Sequence, residues 1–137
     1  MRELYLDTEI WQRANSLCLK VFKLTNDLPL RERSSLFLKI RNSSELIPLN
    51  IAYGSSSAKI NEYIDGLKES YRLLIQLKTE ILITRHLQYI SAFDLKTIDV
   101  DVNELIHMIL KMINILETSN GALNSSFAYW FPPMQVN

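Results

Sequence analysis

Seven basic side chains, Arg13, Lys20, Lys23, Arg31, Arg33, Lys39 and Arg41, crowd residues 13–41, where only Asp27 and Glu32 oppose them, for a local net charge of +5. Each phosphate that such a side chain neutralises releases condensed counterions, so a row of this kind can hold a nucleic-acid backbone. An ordinary solvated helix face carries the same pattern. The whole chain has a formal charge of +0 and an isoelectric point of about 6.7, well below the values above ~9 of dedicated nucleic-acid binders. The balancing charge lies in residues 94–117, where Lys96 and Lys111 face Asp94, Asp99, Asp101, Glu104 and Glu117, for −3. The chain is therefore electrically polarised along its sequence.

Other chemistry is thinly represented. Glu104 and His107 form a Glu-x-x-His, the spacing used in carboxylate-bridged di-iron bundles. Such a site needs further inward glutamates and a second copy of the motif, and neither is present. His86 and His107 lack a second ligand at metal spacing. Gly54, Gly66 and Gly121 stand far apart, so no glycine-rich phosphate loop exists. The serines have no recognisable Ser-His-Asp context. Cys18 is the 1 cysteine, so no intrachain disulfide forms, and its place on an apolar helix face reads as a core thiol. The expectation is a non-enzymatic protein with no cofactor, no metal and no small-molecule substrate. Near the C-terminus Phe127, Tyr129, Trp130 and Phe131 precede Pro132-Pro133. Dense aromatics suit an anchor for a hydrophobic groove on a neighbouring subunit or protein partner, or a tail folded on its own domain.

The elements that must position these groups read as helices. With 137 residues, 47% hydrophobic, and only 3 Gly and 4 Pro, the chain has too few turn residues for an all-β fold. One all-α bundle over residues 1–121, with a tail over 122–137, is expected. No apolar run approaches the ~18 residues of a membrane span, and Met1 to Tyr5 lead into charged sequence, which points to a cytoplasmic protein without a membrane partner.

Helix one is expected to be capped by Asp7 or Thr8 and to end near Leu24. Ile10, Trp11, Ala14, Leu17, Cys18, Val21, Phe22 and Leu24 share an arc of roughly 160°. After a turn at Thr25–Pro29, helix two runs from Leu30 to Tyr53 on Leu36, Ile40, Ser43, Ile47 and Ile51. Pro48 removes the amide that would bond the Ser44 carbonyl, so a kink is predicted there, with the Ser43 and Ser44 hydroxyls placed to satisfy freed carbonyls. Gly54 then reads as a helix stop, and Ser55-Ser56-Ser57 as caps for the next helix.

Helix three spans Ala58 to Gln88 on a seam of Ile60, Ile64, Leu67, Tyr71, Leu74 and Ile81, interrupted by Lys78. Helix four spans Leu95 to Thr118 on Leu95, Ile98, Val102, Leu105, Ile109, Met112 and Leu116, and Asn120-Gly121 ends it. Long helices with short links make an antiparallel up-down four-helix bundle the economical arrangement. Further apolar residues lie off these seams: Leu73, Ile75, Leu77, Leu82, Ile83 and Leu87 on helix three, and Ile106, Leu110, Ile113 and Ile115 on helix four. Exposed apolar surface of that extent predicts self-association, unless the tail covers it within one chain.

Taken together, Ile10-Trp11-Gln12-Arg13-Ala14, Val21-Phe22-Lys23-Leu24-Thr25 and the segment from Arg33-Ser34-Ser35-Leu36 to Gly54 carry a resemblance. Its most specific parts are the Trp-Gln of helix one, the Leu-x-x-x-Ile-Arg of Leu36, Ile40 and Arg41, and the Ile-Pro-x-Asn-Ile-Ala-x-Gly of residues 47–54. The chain resembles, over roughly residues 5–117, the bacterial four-helix-bundle proteins encoded in intervening sequences of large-subunit rRNA genes. Relatives of these are the accessory variability determinant (Avd) proteins of diversity-generating retroelements.

The resemblance implies a bundle that assembles as a five-fold ring, a homo-pentamer, with no catalytic residues and no cofactor. In the retroelement branch it implies a basic accessory partner of a reverse transcriptase and its RNA. The chain departs from the family pattern at Lys39, usually glutamine, Asn42, usually arginine, Tyr53, usually glutamate, and Gln76 and Lys78, usually acidic. These are polar positions, so the departures bear on surface function and leave the fold inference intact.

Overall fold

A computed structural model describes residues 8–27 and 35–119. They form four helices, α1 (Glu9–Asn26), α2 (Ser35–Ser56), α3 (Ile60–His86) and α4 (Ala92–Ser119), and no strand occurs among the described residues. The Asn120-Gly121 stop, the boundary between bundle and tail, and the tail itself lie outside them.

Thr8 caps α1: its backbone is extended and its hydroxyl accepts from the Trp11 amide at 3.2 Å. The helix buries Ile10, Ala14, Leu17, Val21 and Thr25, the centre of the arc expected from the sequence, and continues one half-turn past Leu24 to Asn26. On α2 the buried row is Phe37, Ile40, Ser43, Ser44, Ile47, Pro48, Ile51 and Gly54. Pro48 lies inside one continuous helix.

The serines beside Pro48 act differently from expectation. Ser44 Oγ donates to the Arg41 carbonyl at 2.8 Å, about two turns upstream of the proline, and not to the carbonyl that Pro48 frees. Ser43 Oγ donates across the interface to Glu80 Oε1 at 2.7 Å and accepts from Gln76 Nε2 at 2.9 Å.

Gly54 does not stop α2, which runs on to Ser56. Its role is contact: a Cβ there would lie 2.9 Å from the Glu62 carbonyl oxygen and 3.0 Å from Tyr63 Cα. A Cβ on Gly66 would lie 2.5 Å from the Asn50 carbonyl oxygen and 3.4 Å from Gly54 Cα. The two glycines therefore let the α2 and α3 backbones meet, as small residues do where helices cross closely. Ser70 extends the row, its single hydroxyl proton shared between the Gly66 carbonyl at 2.8 Å and the Ile47 carbonyl of α2 at 3.2 Å.

The α2–α3 contact is the most extensive in the molecule and the α1–α4 contact the least. Helix α3 starts at Ile60, after Ser57 Oγ accepts the Lys59 amide at 3.1 Å. It ends at His86, two residues before the expected Gln88, because Gln88 takes the left-handed φ of 64°. The Tyr89 amide then bonds the Thr84 carbonyl at 3.1 Å and the Gln88 amide bonds the Arg85 carbonyl at 2.9 Å, a Schellman ending with glutamine in the usual glycine position. Ser91 opens α4 by accepting the Asp94 amide at 3.0 Å, which moves the start from the expected Leu95 to Ala92.

Several apolar assignments change with the packing: Ile60, expected on the α3 seam, is exposed, and Leu36, Tyr71 and Leu95 are half-buried. Leu73 and Leu77 on α3, and Ile113 on α4, belong to the core, whereas Met112 and Leu116 are only half-buried. Along α4 the buried residues are Ile98, Val102, Leu105, Ile109, Ile113 and Glu117. The later steps are all four residues long, because a straight helix of ~3.6 residues per turn drifts away from a strict seven-residue repeat.

Candidate nucleic-acid interface

Of the seven basic candidates, Arg31 and Arg33 lie outside the described residues; the other five fall into three environments. Arg13 and Lys20 occupy the flank of α1 that faces α4. Arg13 Nη1 meets Glu104 Oε2 at 2.6 Å, with Glu9 of its own helix 3.5 Å from the other guanidinium nitrogen. Lys20 pairs with Asp101. Two cations of the early basic stretch and two anions of the late acidic one thus pair across one seam. On the opposite flank of α4, Lys78 of α3 lies 3.7 Å from Asp99 and donates to Asn103 at 3.0 Å. Near its C-terminal end, the buried Glu117 has Lys68 at 3.1 Å, off the line of a hydrogen bond, so that contact is ionic.

Arg41 is built into the α1–α2 joint. Its guanidinium donates to Thr25 Oγ1 at 2.6 Å, to the Phe22 carbonyl at 3.3 Å and to Asn26 Oδ1, and it lies 4.9 Å from the centre of the Phe22 ring. The α1 C-terminus leaves its last carbonyls without helical partners, and a cation there also meets the negative end of the helix dipole. Arg41 brings that cation from the next helix, and its bond to the Phe22 carbonyl adds to the one that carbonyl already accepts within α1.

Lys23 and Lys39 form the third environment: exposed, with no ion pair among the described residues. They do not share a face. Lys23 lies opposite the α1 core row, and Lys39 lies on the side of α2 toward α3, each within a turn or so of the same end of the bundle.

An open cleft of about 520 Å³ lies between α1 and α4, lined by Glu9, Arg13, Asn103, Glu104, His107 and Met108. It contains the Glu-x-x-His pair, but Glu104 is engaged by Arg13, and no group of three or more His, Cys, Asp or Glu could hold a metal ion among the described residues. Cys18 is half-buried 3.8 Å from Ser44 Oγ, and burial raises its thiol pKa, so the thiolate needed for nucleophilic chemistry is disfavoured.

Large apolar side chains remain in water on all four helices: Leu19 on α1, Leu38, Leu49 and Tyr53 on α2, Ile60, Ile75, Leu82 and Ile83 on α3 with Leu87 at its C-cap, and Phe93, Val100 and Ile115 on α4. Phe93 is 74% exposed and was not singled out from the sequence; its signal was Val100, seven residues or two turns later on the same face. Phe127, Tyr129, Trp130 and Phe131 lie outside the described residues. No described helix is long and apolar enough to cross a membrane.

Four helices with an apolar core and a surface lined by paired charges define an all-α bundle protein. This chain belongs to the 23S rRNA-intervening sequence protein family, whose model matches residues 6–111. No curated protein matches the chain.

Proposed function

We propose that this protein is a non-enzymatic, self-associating scaffold that contacts RNA, or a reverse-transcriptase-like partner, through the basic side chains of α1 and α2. The observation that carries the assembly is the apolar surface left in water on α3 and α4, centred on Ile75, Leu82, Ile83 and Leu87 with Phe93 and Val100. Monomeric proteins seldom leave a large contiguous apolar patch in water, and contact between copies would cover one formed here. The RNA contact is supported by the exposed Lys23 and Lys39 and is compatible with the family's name, which ties its members to 23S rRNA intervening sequences.

In this reading the bundle is antiparallel and up-down. Partners of α1 residues 13 and 20 fall at 104 and 101 on α4, and partners of α2 residues 43 and 47 fall at 80 and 70 on α3. Copies close into a ring, five by the resemblance, so that each cation recurs by symmetry. Size-exclusion chromatography with light scattering tests the assembly: a clean 15.9 kDa species at micromolar concentration overturns it. Filter binding of RNA at low and raised salt tests the contact, and absent or salt-insensitive binding overturns that part.

A second reading is favoured by a different observation: Arg13, Lys20 and Arg41 are already engaged within the chain. It makes the protein an interaction module without a nucleic-acid role, using the apolar helix surface and the aromatic tail. Truncation after Gly121 separates the two, because loss of assembly or partner capture with RNA binding intact assigns the tail to protein contacts.

A further inference from the structure

Arg13 and Lys20 stand seven residues apart on one flank of α1, about 10.5 Å along the helix axis. That spacing covers about three steps of a stacked strand at ~3.4 Å per phosphate. Both cations are half-exposed, with side-chain exposures of 48% and 45%, so a polyanion can reach them without opening the bundle. Each nevertheless already has a carboxylate partner on the same neighbour, Glu104 or Asp101 of α4. Those partners are themselves 52% and 33% exposed. Ion pairs this exposed add little to stability, so holding the bundle together is a poor account of two such pairs on one seam.

We propose that α4 is an internal competitor for the phosphate backbone. The carboxylates of Asp101 and Glu104 stand where phosphates would stand, and RNA engages Arg13 and Lys20 only by displacing them. Displacement carries two penalties for the strand. The cations are already neutralised, so fewer counterions are released on binding, and the freed carboxylates remain beside the bound phosphates and repel them. Resting affinity is then set by cations outside this seam, such as Lys23 and Lys39. Any event that draws α4 carboxylates away, including contact with a basic protein partner, unmasks Lys20 and leaves Arg13 with only Glu9 of its own helix, 3.5 Å away. The inference rests on the RNA-contact reading above and adds its regulation.

The test compares three full-length proteins binding a short, unstructured, labelled single-stranded RNA over a range of salt concentrations. They are the natural chain, the Asp101→Asn/Glu104→Gln variant, and a control, Glu62→Gln/Asp65→Asn. The control removes equal charge from exposed α3 carboxylates that form no ion pair among the described residues. Circular dichroism melts confirm that each remains folded.

If α4 competes, the α4 variant binds about tenfold tighter at low salt, and its log–log salt slope steepens by ~0.7 for each added phosphate contact to a single strand, from about 0.7 with Lys20 alone to about 1.4 where the strand also displaces Glu9 from Arg13. The control keeps the natural slope. Equal tightening in both variants overturns the proposal, because a general charge effect then explains it. An unchanged slope in the α4 variant, with the natural chain binding, overturns it alone. No binding by any of the three overturns the RNA reading and this inference with it.

Discussion

Between α2 and α3 the backbones approach within van der Waals contact, with Gly54 Cα 3.4 Å from where a Gly66 Cβ would stand. Along the α1–α4 flank, charged side chains span the gap, Arg13 to Glu104 and Lys20 to Asp101, beside an open cleft. One seam is held by shape and buried area, the other is bridged by groups that remain in water. The first kind of contact tolerates almost no added volume. The second is weak, screened by salt and open to exchange of partners. The α2–α3 pair is accordingly the rigid frame of the molecule, and the α1–α4 flank is where another charged molecule can intervene.

The largest expected effect breaks the frame. Gly66→Ala places a Cβ 2.5 Å from the Asn50 carbonyl oxygen, and forcing the helices apart should cost about 3 kcal/mol. Urea denaturation measures it; a loss below about 1 kcal/mol would mean that the two backbones are not tightly joined.

Next is the α1–α2 joint. Arg41→Ala removes three hydrogen bonds and a cation–ring contact, and should cost about 1–2 kcal/mol. Arg41→Lys should recover little of this, because an ammonium cannot reproduce the forked donors.

On the charged flank, a double-mutant cycle of Lys20→Ala and Asp101→Ala should give a coupling below about 1 kcal/mol that fades as salt rises. A coupling that is larger and salt-independent would erase the contrast between the seams. The smallest effect lies outside both: Gln88→Gly should raise stability by about 0.5 kcal/mol, since glycine adopts φ 64° without the Cβ penalty.

Much of the fold is legible in residue order. The Thr8 cap, the α1 row from Ile10 to Val21 and the α4 row from Ile98 to Ile109 follow from cap chemistry and a 3.6-residue period, both properties of a single helix. Ser43 reads correctly as part of the buried α2 row, but the close approach falls at Gly54 and Gly66. Gly54 was legible as important but not as a contact, because a glycine that ends a helix and one that admits a neighbouring helix look alike until the neighbour is in place. Leu73, Leu77 and Ile113 read as surplus for the same kind of reason, since two helices flank α3 and the buried arc is wider than one seam. The candidate interface was legible only as a list of cations.

Residue types and their spacing by themselves determined four amphipathic helices, their approximate ends, the identity of most core positions and the segregation of positive charge early and negative charge late. Those follow from local hydrogen bonding and helical period, which need no knowledge of what lies across the bundle. Tertiary structure alone decided which cations remain available. Arg13, Lys20 and Arg41 look alike in sequence, yet two face carboxylates on α4 and the third closes the end of α1. A charge's availability depends on what stands within a few ångströms of it, and here the partners on other helices come from 15 to 91 residues away along the chain.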